Sequence, residues 1–189
     1  MFQTLLEHIA RGLDARGFPY MVIGGQAVLL YGEPRLTRDV DVTLGVGPDK
    51  LPSLLEWVGE SGWQVLVESA AEFVAKTLVL PCLEPGSGIR IDLIFSFSPY
   101  ERQAIQRSRV VDIRQTPVRF AAVEDLVIHK IMAGRPRDLE DVRSILLKNP
   151  ALDVSYTRRW LTELGASKGE DLVSCFDELW KRWGDKPQG

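Results

Sequence analysis

The sequence predicts an α/β fold: a small, twisted, mixed sheet flanked by helices, then a helical C-terminal subdomain. Two observations lead there. Over residues 1–121, short apolar or alternating runs of strand type interleave with segments of helical spacing. Over residues 122–189 the texture changes, and four successive stretches read as helices. The length of 189 residues suits one core with a small appendage, and a chain of this size needs no disulfide or metal staple.

Each element has its own signal. Leu5, Ile9 and Leu13 recur at helical spacing, with Leu6 beside them, so residues 2–16 form an amphipathic helix that Gly17 ends. Tyr20 to Ile23 is a short buried strand, stopped by Gly24-Gly25. Gln26 to Tyr31 is a short helix, and residues 33–37 are a loop. Val40, Val42 and Leu44 alternate with Asp39, Asp41 and Thr43, the period of a half-buried strand. Leu51 to Glu60 reads as a helix, and 63–67, 73–80 and 89–95 read as strands. In the last of these Ile89, Ile91, Leu93 and Phe95 face one way, and Arg90, Asp92 and Ile94 the other. Residues 99–107 read as a helix, and 110–114 and 118–121 as short strands. The helices expected beyond are 123–133, 136–148, 155–165 and 169–183, with fraying from Gly184 to the end.

Composition narrows the function classes. Apolar residues at 45% and charged residues at 26% exclude a disordered, collagen-like or coiled-coil chain. Twenty-three basic against 26 acidic residues give a net charge of −3, so bulk charge does not drive nucleic-acid binding. Cys82 and Cys175 are too few for a four-cysteine zinc site or a disulfide framework, and read as reduced thiols. The N-terminus lacks a signal-type apolar core, and no apolar run approaches a membrane span; a cytoplasmic protein is expected.

The stretch from Ile23 to Leu44 carries the chemistry. Asp39 and Asp41 lie two apart on one strand, so both point to one face, with Cα atoms about 6–7 Å apart. Asp92 sits on the polar face of its own strand. If that strand lies beside 40–44, three carboxylates gather on one face and repel unless a cation neutralises them. Mg²⁺ is the natural choice, since it accepts one or two carboxylates plus substrate phosphates. Gly24 and Gly25, between a strand and a helix start, offer backbone N–H groups to an anion and no Cβ to block it. Arg35 and Arg38 flank the acids and suit phosphate oxygens.

Gly-Gly, a short helix, then Arg35-x-Thr37-x-Asp39-x-Asp41 resembles the nucleotidyltransferase superfamily of DNA polymerase beta type. Within it, the sequence is most similar to the bacterial AbiEii-type toxin nucleotidyltransferases. Lys130, then Arg137-Asp138-Leu139-Glu140-Asp141, resembles a later element of that branch, and the resemblance spans about residues 20–145. It implies two Mg²⁺ ions, or Mn²⁺, held by Asp39, Asp41 and Asp92. It implies an NTP whose phosphates meet Gly24, Gly25, Arg35, Thr37 and Lys130, with Asp138 or Asp141 orienting Lys130 or the acceptor. Many members carry Ser where Gly25 stands, so any phosphate contact at Gly25 is through backbone. The acceptors implied are a tRNA or other RNA end, a partner protein or a small molecule, and a toxin would have a cognate antitoxin.

Simpler readings compete. The paired acids could be solvated, and Asp92 could pair with Arg90 or Arg114. Lys130 would by default point its stem to solvent. Asp138, Glu140 and Asp141 are favoured near a helix start by the dipole alone. The competing function is a catalytically silent module of the same fold, an antitoxin or scaffold, that binds NTP or a partner.

Overall fold

The computed structural model describes residues 1–184, and 185–189, part of the tail expected to fray, lie outside the described residues. The described residues form two compact units: Met1–Gln26 with Leu36–Ala121, and Ala27–Arg35 with residues 122–184.

The first unit is built on a seven-stranded mixed sheet. Its elements are α1 (Phe2–Ala15), β1 (Tyr20–Ile23), the first residues of α2 (Gly24–Tyr31), β2 (Asp39–Leu44), α3 (Leu51–Glu60), β3 (Gln64–Val65), α4 (Ala70–Thr77), β4 (Val79–Glu84), β5 (Ile89–Phe95), α5 (Pro99–Gln106), β6 (Arg109–Ile113) and β7 (Thr116–Phe120). The strand order is β3-β4-β5-β2-β1-β7-β6. β2 is central, antiparallel to β1 and parallel to β5. Val40, Val42 and Leu44 share one face with Ile91, Leu93 and Phe95, and all six are buried. On α1 the expected row Leu5, Leu6, Ile9 and Leu13 is buried as well. Gly12 lets α1 approach α3, because a Cβ there would collide with the Trp57 ring.

Several expectations change. Residues 73–80 are not one strand: α4 ends at Thr77 and β4 begins at Val79. Ser69 caps α4 by accepting from the Glu72 N–H, and Leu78 turns left-handed with φ of 58° to end it. The apolar run Phe73, Val74, Leu78, Val79, Leu80 mimicked a strand because it straddles both elements. Pro81 lies inside β4 rather than after a strand, and β3 has two residues instead of five. α2 starts at Gly24, so the glycine pair opens the helix instead of preceding it. Among the described residues no helix is long and apolar enough to cross a membrane.

The second unit holds the rest of α2, α6 (Val123–Ala133), α7 (Pro136–Lys148), α8 (Val154–Lys168) and α9 (Leu172–Leu179). Gly134 ends α6 with φ of 61°, and Pro136 opens α7 at its first position. Where one helix over 169–183 was expected, α9 is shorter and a π-helical turn, Trp180–Gly184, follows; Gly184 is buried. The core is Leu126, Ile128 and Ile131 of α6, Val142, Ile145 and Leu146 of α7, Leu161 of α8 and Phe176 of α9. Tyr156 donates to Asp125 Oδ1 at 2.8 Å inside this core.

Candidate active site

In the first unit β2 and β5 bring the three predicted acids onto one face. The parallel register sets Asp41 opposite Asp92 and Asp39 opposite Arg90. Neighbouring strands lie roughly 4.8 Å apart, and same-face residues on one strand about 6–7 Å. Three carboxylates and one guanidinium therefore occupy the corners of a small rectangle. Asp39, Asp41 and Asp92 are each partly exposed, while the residues between them face the core.

Each acid has a local partner. Thr37 donates its hydroxyl to Asp39 Oδ1 at 2.8 Å, which ties the loop before β2 to its first residue. Arg90 Nε donates to Asp92 Oδ1 at 2.9 Å, so one of the two simple partners considered for Asp92 is present. Asp41 lies against the start of α2: a Cβ at Gly24 would fall on its carboxylate, and Gly24 has φ of 63°. Gly24 thus answers to two requirements at once, a left-handed backbone and the close approach of an anion. Thr43, next along the acid face, is buried with its hydroxyl unpartnered, as is the Gln26 amide nitrogen in α2.

Among the described residues no three Asp, Glu, His or Cys side chains converge as a ready ion cage. Thr37 and Arg90 each hold one of these carboxylates. The donor set nonetheless suits a hard divalent cation: all-oxygen, anionic, partly exposed and clustered on a rigid central strand pair.

The second unit holds a different cluster. Lys130 is 5% exposed, and its Nζ lies 2.8 Å from Asp138 Oδ1 and 2.9 Å from Asp141 Oδ2. The solvent-facing stem expected by default is not formed. Asp138 and Asp141 stand one turn apart on α7, and both turn toward the ammonium. Arg35 grips Asp141 through both oxygens, Nε to Oδ1 at 2.7 Å and Nη2 to Oδ2 at 2.8 Å. Arg135 donates to Asp138 Oδ2 at 2.5 Å. Burial alone would raise both carboxyl pKa values, yet hydrogen bonds and charge, from Arg135 and Lys130 on Asp138 and from Arg35 and Lys130 on Asp141, outweigh it and hold both low. Of these five groups three are cations and two are anions, so one positive charge is in excess. Arg38 is exposed. The histidines are structural in place: His8 stacks near Trp57 and Trp63, and His129 is buried beside Lys130.

The sequence matches, over residues 2–172, the family described as "Nucleotidyl transferase of unknown function (DUF2204)". The chain belongs to this nucleotidyl transferase family. Solved structures share the fold at low identity. ANT(2")-Ia in complex with adenylyl-2"-tobramycin matches at TM-score 0.55 and 20% identity, covering 94% of this chain and 98% of that one. An antigenic nucleotidyltransferase-like protein from Paracoccidioides brasiliensis matches at 0.54 and 20%, covering 76% and 74%. JHP933 from Helicobacter pylori matches at 0.50 and 16%, covering 90% and 75%. No curated protein matches the sequence.

For this nucleotidyl transferase family member, sequence reasoning missed the Arg35–Asp141 clamp and the burial of Lys130. A 106-residue separation leaves no local signal for the clamp. Arg90 was visible, two residues before Asp92 on the same face, but only as a bland partner.

Proposed function

We propose that this chain transfers a nucleoside monophosphate from an NTP to an acceptor hydroxyl and releases pyrophosphate, in a metal-dependent reaction. The observation that carries the reading is the register that sets Asp41 opposite Asp92 with Asp39 beside them, at the glycine start of α2. Asp39 and Asp41 would hold two Mg²⁺ ions, or Mn²⁺, with Asp92 joining at the second. Bound there, the ions would neutralise charge on the attacking and leaving oxygens. Asp92 Oδ2, the oxygen opposite the one Arg90 engages, would take the acceptor hydroxyl's proton. Backbone N–H groups of Gly24 and Gly25 would meet phosphate oxygens, and Thr37 fixes Asp39 in orientation. For Arg35 and Lys130 to act as phosphate ligands, one must exchange a carboxylate for a phosphate. We assign that to Arg35, the more exposed of the two at 23% against 7% for the side chain, with Asp138 and Asp141 orienting Lys130.

The acceptor classes proposed are an RNA or tRNA 3′ end, a protein hydroxyl and a small molecule. ANT(2")-Ia, whose structure holds an adenylylated aminoglycoside, supports adding aminoglycosides to the trial set. Kinship to AbiEii-type toxins, with a cognate antitoxin, is part of the same proposal and rests on the Arg35-x-Thr37-x-Asp39-x-Asp41 signature. The second reading, a silent binding module, is favoured by one observation: no ready three-acid cage among the described residues.

The test is transfer of label from each α-labelled NTP, with Mg²⁺, to total RNA, lysate proteins or aminoglycosides, beside Asp41→Asn. A labelled acceptor made by the parent alone supports the enzyme and names its substrate class. Mg²⁺-dependent NTP binding without transfer to any acceptor supports the binding module. Absence of both overturns the two readings together.

A further inference from the structure

We infer that Arg90 is the exchangeable counter-ion of the acid face, holding Asp92 until a divalent cation displaces it, so that it sets how tightly this face takes metal. The inference rests on the metal-dependent reading above and concerns a residue that reading does not use.

Three observations carry it. Arg90 occupies the fourth corner of the rectangle whose other corners are Asp39, Asp41 and Asp92, directly opposite Asp39. Its Nε bonds Asp92 Oδ1 at 2.9 Å, while Asp41 lies against Gly24 and Asp39 is held by Thr37. And the Arg90 side chain is 54% exposed against 18% for Asp92.

These facts separate a counter-ion from a clamp. An exposed pair of this kind contributes little to stability, and its long side chain can leave for water without stranding a buried charge. The Lys130 pairs are the contrast, with both partners buried. Three carboxylates and one guanidinium stand at the corners of the rectangle. A divalent ion held by the three acids would draw on the Asp92 carboxylate that Arg90 engages. Arg90 and the metal therefore compete for one carboxylate.

The test is Mn²⁺ binding, by titration calorimetry and by the electron paramagnetic resonance signal of free Mn²⁺, on the full chain and without nucleotide. The variants are Arg90→Gln, Arg90→Lys and Asp92→Asn. Arg90→Gln is expected to bind Mn²⁺ about two- to tenfold tighter, as loss of an exposed competing pair implies. The gain should shrink in 0.5 M salt, where exposed charges are screened within about 4 Å. Arg90→Lys, which keeps the charge, should stay within about twofold of the parent, and Asp92→Asn should weaken binding. As a second readout, Mn²⁺ should raise the thermal midpoint of Arg90→Gln more than that of the parent. Equal or weaker binding by Arg90→Gln, with parental binding intact and an unchanged circular dichroism spectrum, overturns the role of Arg90 and spares the metal site. Absence of saturable Mn²⁺ binding in every variant overturns the metal site and the inference with it.

Discussion

Removing the Lys130 ammonium tests what holds the second unit together. Lys130→Met keeps the length of the stem and deletes a charge whose two partners, Asp138 and Asp141, are 2% and 4% exposed. Breaking a buried ion pair from one side costs about 3–5 kcal/mol, because a carboxylate is left without its partner. Here both acids keep a second cation, Arg35 on Asp141 and Arg135 on Asp138. The Arg135 side chain is 75% exposed and offsets little. The low end applies, about 3 kcal/mol, or a fall of roughly 6–12 °C in thermal midpoint for a chain of this size. The pH dependence has a definite sign. Both carboxyls sit below their ordinary pKa in the folded chain, so their stabilisation is present above the unfolded value and lost as pH falls through the folded one. The gap between parent and Lys130→Met should therefore be full at pH 7 and close as pH drops below about 4. Circular dichroism melts at a series of pH values measure it. A midpoint within about 2 °C of the parent at pH 7 would refute the argument, and if transfer activity were lost at the same time, Lys130 would be a ligand and no anchor.

Three further outcomes are expected. His129 is buried, and burial first, then the Lys130 charge, lowers its pKa to about 4. Its neutral form is the folded one, so stability should fall by about 3 kcal/mol as pH drops from about 6.5 to about 4, and urea titrations of His129→Leu should lack that slope. Gly24→Ala should cost about 1–2 kcal/mol from its left-handed backbone alone. It should also push Asp41 aside, so Mn²⁺ binding and transfer should be lost while the far-ultraviolet spectrum is kept. Burial first, and the Asp92 charge after it, push the Cys82 thiol up to about 12, so iodoacetamide at pH 8 should modify Cys82 only in the unfolded chain. Mass spectrometry of the alkylated protein would show Cys82 labelling in the native state if this reading is wrong.

What could be read from the sequence was whatever repeats at short range. The alternation in β2 and β5 put Asp39, Asp41 and Asp92 on polar strand faces, and the glycine pair marked the turn into α2. That β2 and β5 are neighbours could not be read, because strand order is set by packing of the whole sheet and not by either strand's pattern. At α4 the apolar run misled, although Ser69 three residues before Glu72 is a legible capping signal. The Lys130 network lay hidden for two reasons. Arg35 and Asp141 are far apart in sequence, and the dipole already gave the α7 acids a sufficient surface explanation. Burial of a charge is a tertiary event, since Lys at an apolar helix position reads as a snorkelling stem until its partners are known.

The two charged clusters differ in burial and in charge balance. Around Lys130 five ionic groups are nearly balanced, the central ammonium and both carboxylates are buried, and every pair is short. A ligand at such a set must first break a pair, and Arg35, the more exposed cation, is the one proposed to exchange. On the β2–β5 face the balance is the reverse. Three acids face one arginine, the arginine is mostly in water, and the strands beneath are rigid and apolar. Under the proposed function this face would take the divalent cation. On that reading, loss of a single carboxylate from the acid face should abolish transfer while leaving the fold in place, whereas loss of a carboxylate from the buried lysine network should cost stability as well.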